Sequence, residues 1–134
     1  MNRTTKLILL YWLPFFVYAV FVFYFSSLPD PYVKMPATFR PVFSFSSMII
    51  HLVEYCIFYI LLWRALNYSR FSNAFGKSFV FTLVYSVLDE VHQLFVYGRY
   101  FSVGDLFFDM VGAFLGWALI VICGRLLNKS VFCF

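Results

Sequence analysis

Four long apolar stretches set the pattern of this chain, at about residues 7–25, 47–66, 78–97 and 105–127. Each is close to the roughly 20 residues that a helix needs to cross a ~30 Å hydrocarbon core. Helices are the expected spanning elements, because backbone in lipid must satisfy its own hydrogen bonds. The first stretch follows Arg3 and Lys6 and contains Pro14, where a missing N–H predicts a bend. It is longer than the roughly 7–15 apolar residues of a signal peptide, and no small-residue cleavage site follows, so it reads as a retained helix. Residues 26–47 carry Pro29, Pro31, Pro36 and Pro41 among serines and charges, which predicts a long loop. A short basic segment with Arg70 and Lys77 separates the second and third stretches, and the Gly98–Gly104 turn separates the third and fourth. The expected architecture is all-α: one domain over residues 1–134, a bundle of four transmembrane helices.

Polar positions inside these runs are not random. At about 100° per residue, the third run gathers Thr82, Tyr85, Ser86, Asp89, Glu90, His92 and Gln93 into one arc. Leu83, Val84, Val87, Val91, Leu94 and Phe95 take the other side. In the second run His51, Glu54, Tyr55, Phe58 and Tyr59 share a face; in the fourth, Asp105, Asp109, Gly112 and Gly116 do so.

Composition then decides the solvent. The chain is 63% hydrophobic and 12% charged, with twenty Phe and ten Tyr. Soluble domains average roughly 25% charged residues, so lipid must cover most of this surface. The net charge of +4 bears on topology rather than nucleic-acid binding. Arg3, Lys6, Arg64, Arg70, Lys77, Arg125 and Lys129 fall on one side, against Lys34, Arg40 and Arg99 on the other. Seven against three predicts both termini in the cytoplasm. Cys56 and Cys123 lie in apolar runs and Cys133 near the C-terminus, without disulfide or zinc spacing, so they read as packing residues and no metal is assigned from spacing.

With that orientation, all six acids and both histidines fall in or near the outer half. If the third helix ends near Tyr97, Glu90 lies about 10 Å below its end, at a depth comparable to Glu54 and Asp109. An ionisable residue at mid-helix costs roughly 2.5–3.5 kcal/mol on insertion scales, so several survive only by facing one another, water or a ligand. His51, Glu54, Asp89 and Glu90 are therefore candidate acid–base groups, and equally candidate cation ligands. Arg99 is the candidate contact for a phosphate or carboxylate head group, with Asp105 to orient it. Gln93, Asp109 and Tyr55 complete the candidate binding residues. A plainer role stands beside each: polar residues glue helices, Gly112 and Gly116 permit close helix contact, and Tyr and Trp anchor at interfaces. The inner-half stripes Phe58–Leu62 and Leu115–Ile120 are apolar, which argues against a polar path across the membrane.

Residues 89–116 read DEVHQLFVYGRYFSVGDLFFDMVGAFLG. This resembles the VanZ-like membrane protein family, whose pattern is carried here by Asp89, Glu90, Gln93, Arg99, Asp105, Gly112 and Gly116. FYFSSLPD at 23–30 and HLVEYCIFYILLWRAL at 51–66 are similar to the family's first-loop element and its His-containing second helix. Tyr97 stands where the family pattern has proline, and Asp109 where it often has Asn. The resemblance implies a multi-pass protein of the bacterial cytoplasmic membrane, acting on the cell envelope. Its name-giving member is linked with resistance to teicoplanin, a lipid-bearing glycopeptide. Three functions fit: binding or modifying a lipid-linked envelope molecule at the outer leaflet, proton- or cation-coupled transport, and non-catalytic assembly with envelope machinery. Neither a cofactor motif nor turnover is legible.

Overall fold

A computed structural model describes residues 2–29 and 40–126, with the side chains of the long central helix described from Ser47 onward. Asp30, Pro31, Lys34, Pro36, Lys129 and Cys133 lie outside these residues. The described chain is helical: α1 (Arg3–Leu7), a π-helical turn (Ile8–Trp12), α2 (Leu13–Ser26), α3 (Arg40–Tyr68), α4 (Ala74–Gln93) and α5 (Val103–Leu126). Thr4–Ser26, Ser47–Tyr68 and Val103–Leu126 are long and apolar enough to cross a bilayer. The 20 residues of α4 would also reach about 30 Å, but their polar stripe keeps them below that standard of hydropathy.

Several helix bounds differ from the sequence expectation, and the largest differences have local reasons. Around Pro14 the chain answers the missing N–H with a π turn ahead of the proline, which then occupies the opening positions of α2. The second helix begins at Arg40 instead of Ser47, because Pro41 is compatible with a first helical turn. The third begins at Ala74 instead of Ser78 and stops at Gln93 instead of Tyr97. Asn73 starts it: in the left-handed region at φ 52°, its side chain accepts from the Gly76 N–H. At the other end Leu94, Phe95 and Val96 bond back three residues, to Val91, His92 and Gln93. Gly98, at φ 80°, then turns the chain toward α5.

The early stop of α4 raises the site. Glu90 lies one turn from the helix end, about 5 Å, and not about 10 Å below it.

Helix α4 is inside-out relative to a soluble helix. Ala74, Ser78, Thr82, Ser86, Asp89, Glu90 and Gln93 are buried, while Val80, Phe81, Val84, Leu88 and Val91 are exposed. Apolar side chains also clothe the π turn, α2 and α5. Only a lipid solvent makes that arrangement favourable. The apolar core is Phe58, Tyr59, Leu62, Trp63 and Leu66 of α3, with Ala74, Ala113 and Ile120.

Parallel helices α3 and α5 approach closely where Gly112 and Gly116 meet α3: a Cβ on Gly116 would stand 2.8 Å from the Cys56 carbonyl oxygen, and one on Gly112 would collide with that of Leu52. The small-residue spacing is thus a packing device. Helix α2 leans on its neighbours through Tyr85 Oη to Ala19 O at 2.6 Å and Tyr18 Oη to Glu54 O at 3.3 Å. At the opposite end from the acids, Trp12 Nε1 donates to Ser69 Oγ at 2.9 Å, and Arg64 lies over the Tyr11 ring.

The cap offers a clean test. Asn73→Ala removes a side-chain acceptor and forces a Cβ residue without capping power into left-handed backbone. Each change costs about 1 kcal/mol. A drop of a few degrees in the Tm of detergent-solubilised protein is expected, with no change in the polar cluster at the far end of α4.

Candidate functional site

The buried stripe of α4 ends in a polar cluster shared with α2, α3 and α5. Its lower tier is centred on Asp109, which is 2% exposed. His51 Nδ1 lies 3.0 Å from Asp109 Oδ1, and Ser86 Oγ donates to Asp109 Oδ2 at 2.6 Å. Both carboxylate oxygens are thus engaged by different helices, α3 and α4. The glycine contact one turn further along α5 holds α3 close enough for this. Tyr55 lies under His51 with its ring nearly parallel, fully buried, its hydroxyl without a hydrogen-bond partner among the described residues.

The upper tier is centred on Glu90, which is fully buried. Its Oε2 accepts from the Ser102 backbone N–H at 2.8 Å, and its Oε1 from Gln93 Nε2 at 3.4 Å. Ser102 in turn opens α5, its Oγ accepting from the Asp105 N–H at 3.1 Å. Arg99 closes the rim. Its Nε donates to Leu28 O at 3.1 Å, Nη2 to Phe25 O at 3.4 Å and Nη1 to Gln93 Oε1 at 3.4 Å. The guanidinium therefore ties the end of α2 to the end of α4.

That differs from the pairing expected between Arg99 and Asp105. Backbone carbonyls at the end of α2 keep acceptor capacity to spare, although that of Phe25 already accepts from the Leu28 N–H, and they take the guanidinium. Asp105 belongs with His51 and Glu90: one ligand-type atom from each of the three lies within 4.8 Å of the others.

Asp89 is 5% exposed, with Ser26 and Gln93 as its polar neighbours. Neither Asp89 Oδ1 nor Ser26 Oγ forms a hydrogen bond within ordinary geometry among the described residues. Glu54 is half-buried, within the field of His51, Asp89, Asp109 and Arg99. The structure thus brings together His51, Glu54, Tyr55, Asp89, Glu90, Gln93, Arg99, Asp105 and Asp109. It sends His92 elsewhere, to Ser27 Oγ at 2.9 Å and against the Phe23 ring.

Ser86, already in the polar arc of the third run, joins the cluster through Asp109, while Ser26 and the Ser102 amide are neighbours that sequence reasoning did not name. A backbone N–H leaves no mark in a sequence. The polar stripe also continues below the cluster to Thr82 and Ser78, both buried, which corrects the expectation of a wholly apolar inner half.

A family model described as VanZ/LLP1 matches residues 7–124. The chain belongs to the VanZ/LLP1 family. Its membership and its apolar helices make it a multi-pass membrane protein. No curated protein and no solved structure matches it. The VanZ/LLP1 match covers every residue of the cluster.

Proposed function

We propose that this VanZ/LLP1 protein spans the bacterial cytoplasmic membrane four times with both termini inside, and binds the anionic head group of a lipid-linked envelope molecule at the outer leaflet. The observation that carries the reading is the rim: an arginine fixed by three hydrogen bonds above a buried layer of acids. Of the five N–H groups of Arg99, three are committed among the described residues, which leaves two to meet a phosphate or carboxylate. Gln93 holds Arg99 from α4, Asp105 stands below beside Glu90, and Tyr55 floors the cluster. Glu54, Asp89, Glu90 and His51 stand below as acid–base groups should the bound molecule be modified. A small cavity of about 10 Å³ between α4 and α5, lined by Phe79, Leu83, Met110 and Ala113, adjoins Ser86 and Asp109 below the rim. Such an activity would suit a role in teicoplanin resistance, since that antibiotic is itself lipid-bearing.

Native mass spectrometry of gently extracted protein tests the reading: a co-purifying phospho- or carboxylate-bearing lipid is expected. Arg99→Lys should weaken its retention about tenfold, because an ammonium cannot keep the three present bonds and offer a planar pair as well. Retention unchanged in that variant would remove the rim from the account.

A second reading, coupled transport of protons or cations, rests on the stripe below the cluster. Thr82 Oγ1 and Tyr55 Oη are buried and unpartnered among the described residues, and Ser78 lies one turn further in. Gradient-driven flux in proteoliposomes would favour it over head-group binding alone.

A further inference from the structure

Among the described residues the outer layer gathers five carboxyl groups around two basic side chains. Glu54 of α3, Asp89 and Glu90 of α4, and Asp105 and Asp109 of α5 all lie within the field of His51, and Arg99 is the other described basic side chain beside them. Arg99 already spends three hydrogen bonds on carbonyl oxygens of Phe25, Leu28 and Gln93. Buried carboxylates persist when they are neutralised, and a bound cation does this without breaking the hydrogen bonds already made.

The same layer contains a set of donors at metal-ligand distances. Ligand-type atoms of His51, Glu90 and Asp105 lie within 4.8 Å of one another. Around one ion with bonds of about 2.0–2.2 Å, ligands stand up to about 4.4 Å apart, so closure needs only small side-chain shifts. The three come from three helices, and each is positioned by a separate contact. Asp109 Oδ1 occupies His51 Nδ1 at 3.0 Å, so Nε2 is the nitrogen an ion would meet. Ser86 fixes the far oxygen of that aspartate at 2.6 Å. This is the carboxylate–histidine arrangement that orients ligating imidazoles. Glu90 is held by the Ser102 N–H, and Asp105 by the helix start that Ser102 Oγ caps.

An independent observation points the same way. Asp89 is 95% buried by its 5% exposure, beside Ser26 and Gln93 and within the field of His51 and Asp109, and its Oδ1 has no hydrogen-bond partner in ordinary geometry among the described residues. An oxygen so placed is a poor tenant of an empty membrane interior and a natural outer neighbour of an ion.

We propose that His51, Glu90 and Asp105 bind one divalent transition-metal ion of the Mn2+ or Zn2+ type, with Asp109 and Ser86 orienting the histidine. One nitrogen and two carboxylate donors suit such an ion better than Ca2+, which takes oxygen ligands. Three protein ligands leave coordination positions open toward the rim, where Arg99 stands. The site does not rest on lipid binding; an ion can occupy it whether or not a head group follows.

The test uses the full chain in phosphatidylcholine nanodiscs, stripped with a chelator and titrated with Mn2+. One saturable ion per chain is expected, displaced by Zn2+, with an electron spin-echo modulation from a directly bound imidazole 14N. Asp105→Asn and Glu90→Gln should each weaken binding at least about tenfold, and Asp109→Asn about 10–100-fold while keeping the 14N signature. Absence of stoichiometric binding by the unaltered protein overturns the proposal, and so does bound Mn2+ without 14N coupling; both readings need no variant to fold. Mn2+ affinity unchanged by Asp105→Asn and Glu90→Gln together overturns it as well. Failure here leaves lipid retention measured by mass spectrometry untouched, so the two readings fall separately.

Discussion

Gly112→Leu is expected to leave almost no folded protein. The α-carbon of Gly112 rests on the backbone of α3, and even a single Cβ would be driven into the Leu52 carbonyl oxygen, with the Cys56 N–H 3.1 Å away on the other side. Neither neighbour is a side chain that can rotate aside. The helices must separate, and separation opens the Phe58–Tyr59–Leu62 core while pulling His51 from Asp109. Overpacking alone costs about 1–3 kcal/mol, and here a buried polar pair is broken in addition. The folded fraction, read as the monodisperse peak after detergent extraction, should fall at least about tenfold. Gly104→Ala is the control. Its Cβ would sit 3.4 Å from the terminal methyl of Met48, a flexible group, so yield should stay near that of the unaltered protein. A Gly112→Leu protein that extracts and melts normally would mean that α3 and α5 are not in this contact.

The four apolar runs, the polar face of each and the clustering of acids at one end were legible because they follow from period and cost. A helix in lipid must turn its acids inward, so the phase of Asp89, Glu90 and Gln93 fixes which way α4 faces. Helix ends were less legible. Val96 and Tyr97 are as apolar as the residues before them, and nothing in their composition announces that α4 stops at Gln93. The stop comes from tertiary structure: Glu90 reaches across to the Ser102 N–H, and the chain must already have turned for that amide to be in place. Arg99 was misassigned for a related reason. Sequence reasoning pairs charges, whereas the fold offered Arg99 the carbonyls of Phe25 and Leu28 at the end of a helix more than 70 residues upstream. What the charge pairing missed is the consequence for Asp105, which is released to stand beside His51 and Glu90.

Those relations make Asp109 and Glu90 unequal, although both are fully buried. Asp109 is saturated by His51 and Ser86 and lies a full turn below Asp105, so its work is to hold other groups. Glu90 joins three elements at the rim: its own helix with Gln93, the Ser102 turn and, through Gln93 and Arg99, the end of α2. A group so connected can pass the state of a bound head group or ion to the ends of α2 and α4 without any large motion.

Glu90→Gln should therefore separate function from folding. The amide keeps the shape of the carboxylate and its oxygen still accepts from Ser102, while Gln93 can accept from the new NH2 only by reversing its own amide and giving up its bond from Arg99. Stability should stay within a few degrees of the unaltered protein in Tm, since the substitution removes a buried charge and gives up only one long hydrogen bond at the rim. Function should fall at least about tenfold, because a neutral oxygen neither balances a cation nor moves a proton, and one lost charge-assisted contact is worth about 1.5–3 kcal/mol. Abundance in the membrane and retention of the bound lipid, measured on the same preparation, decide the matter. Loss of retention at full abundance places Glu90 in the binding chemistry. Parallel loss of both would make it a packing residue, and the outer cluster would then be a structural joint instead of a site.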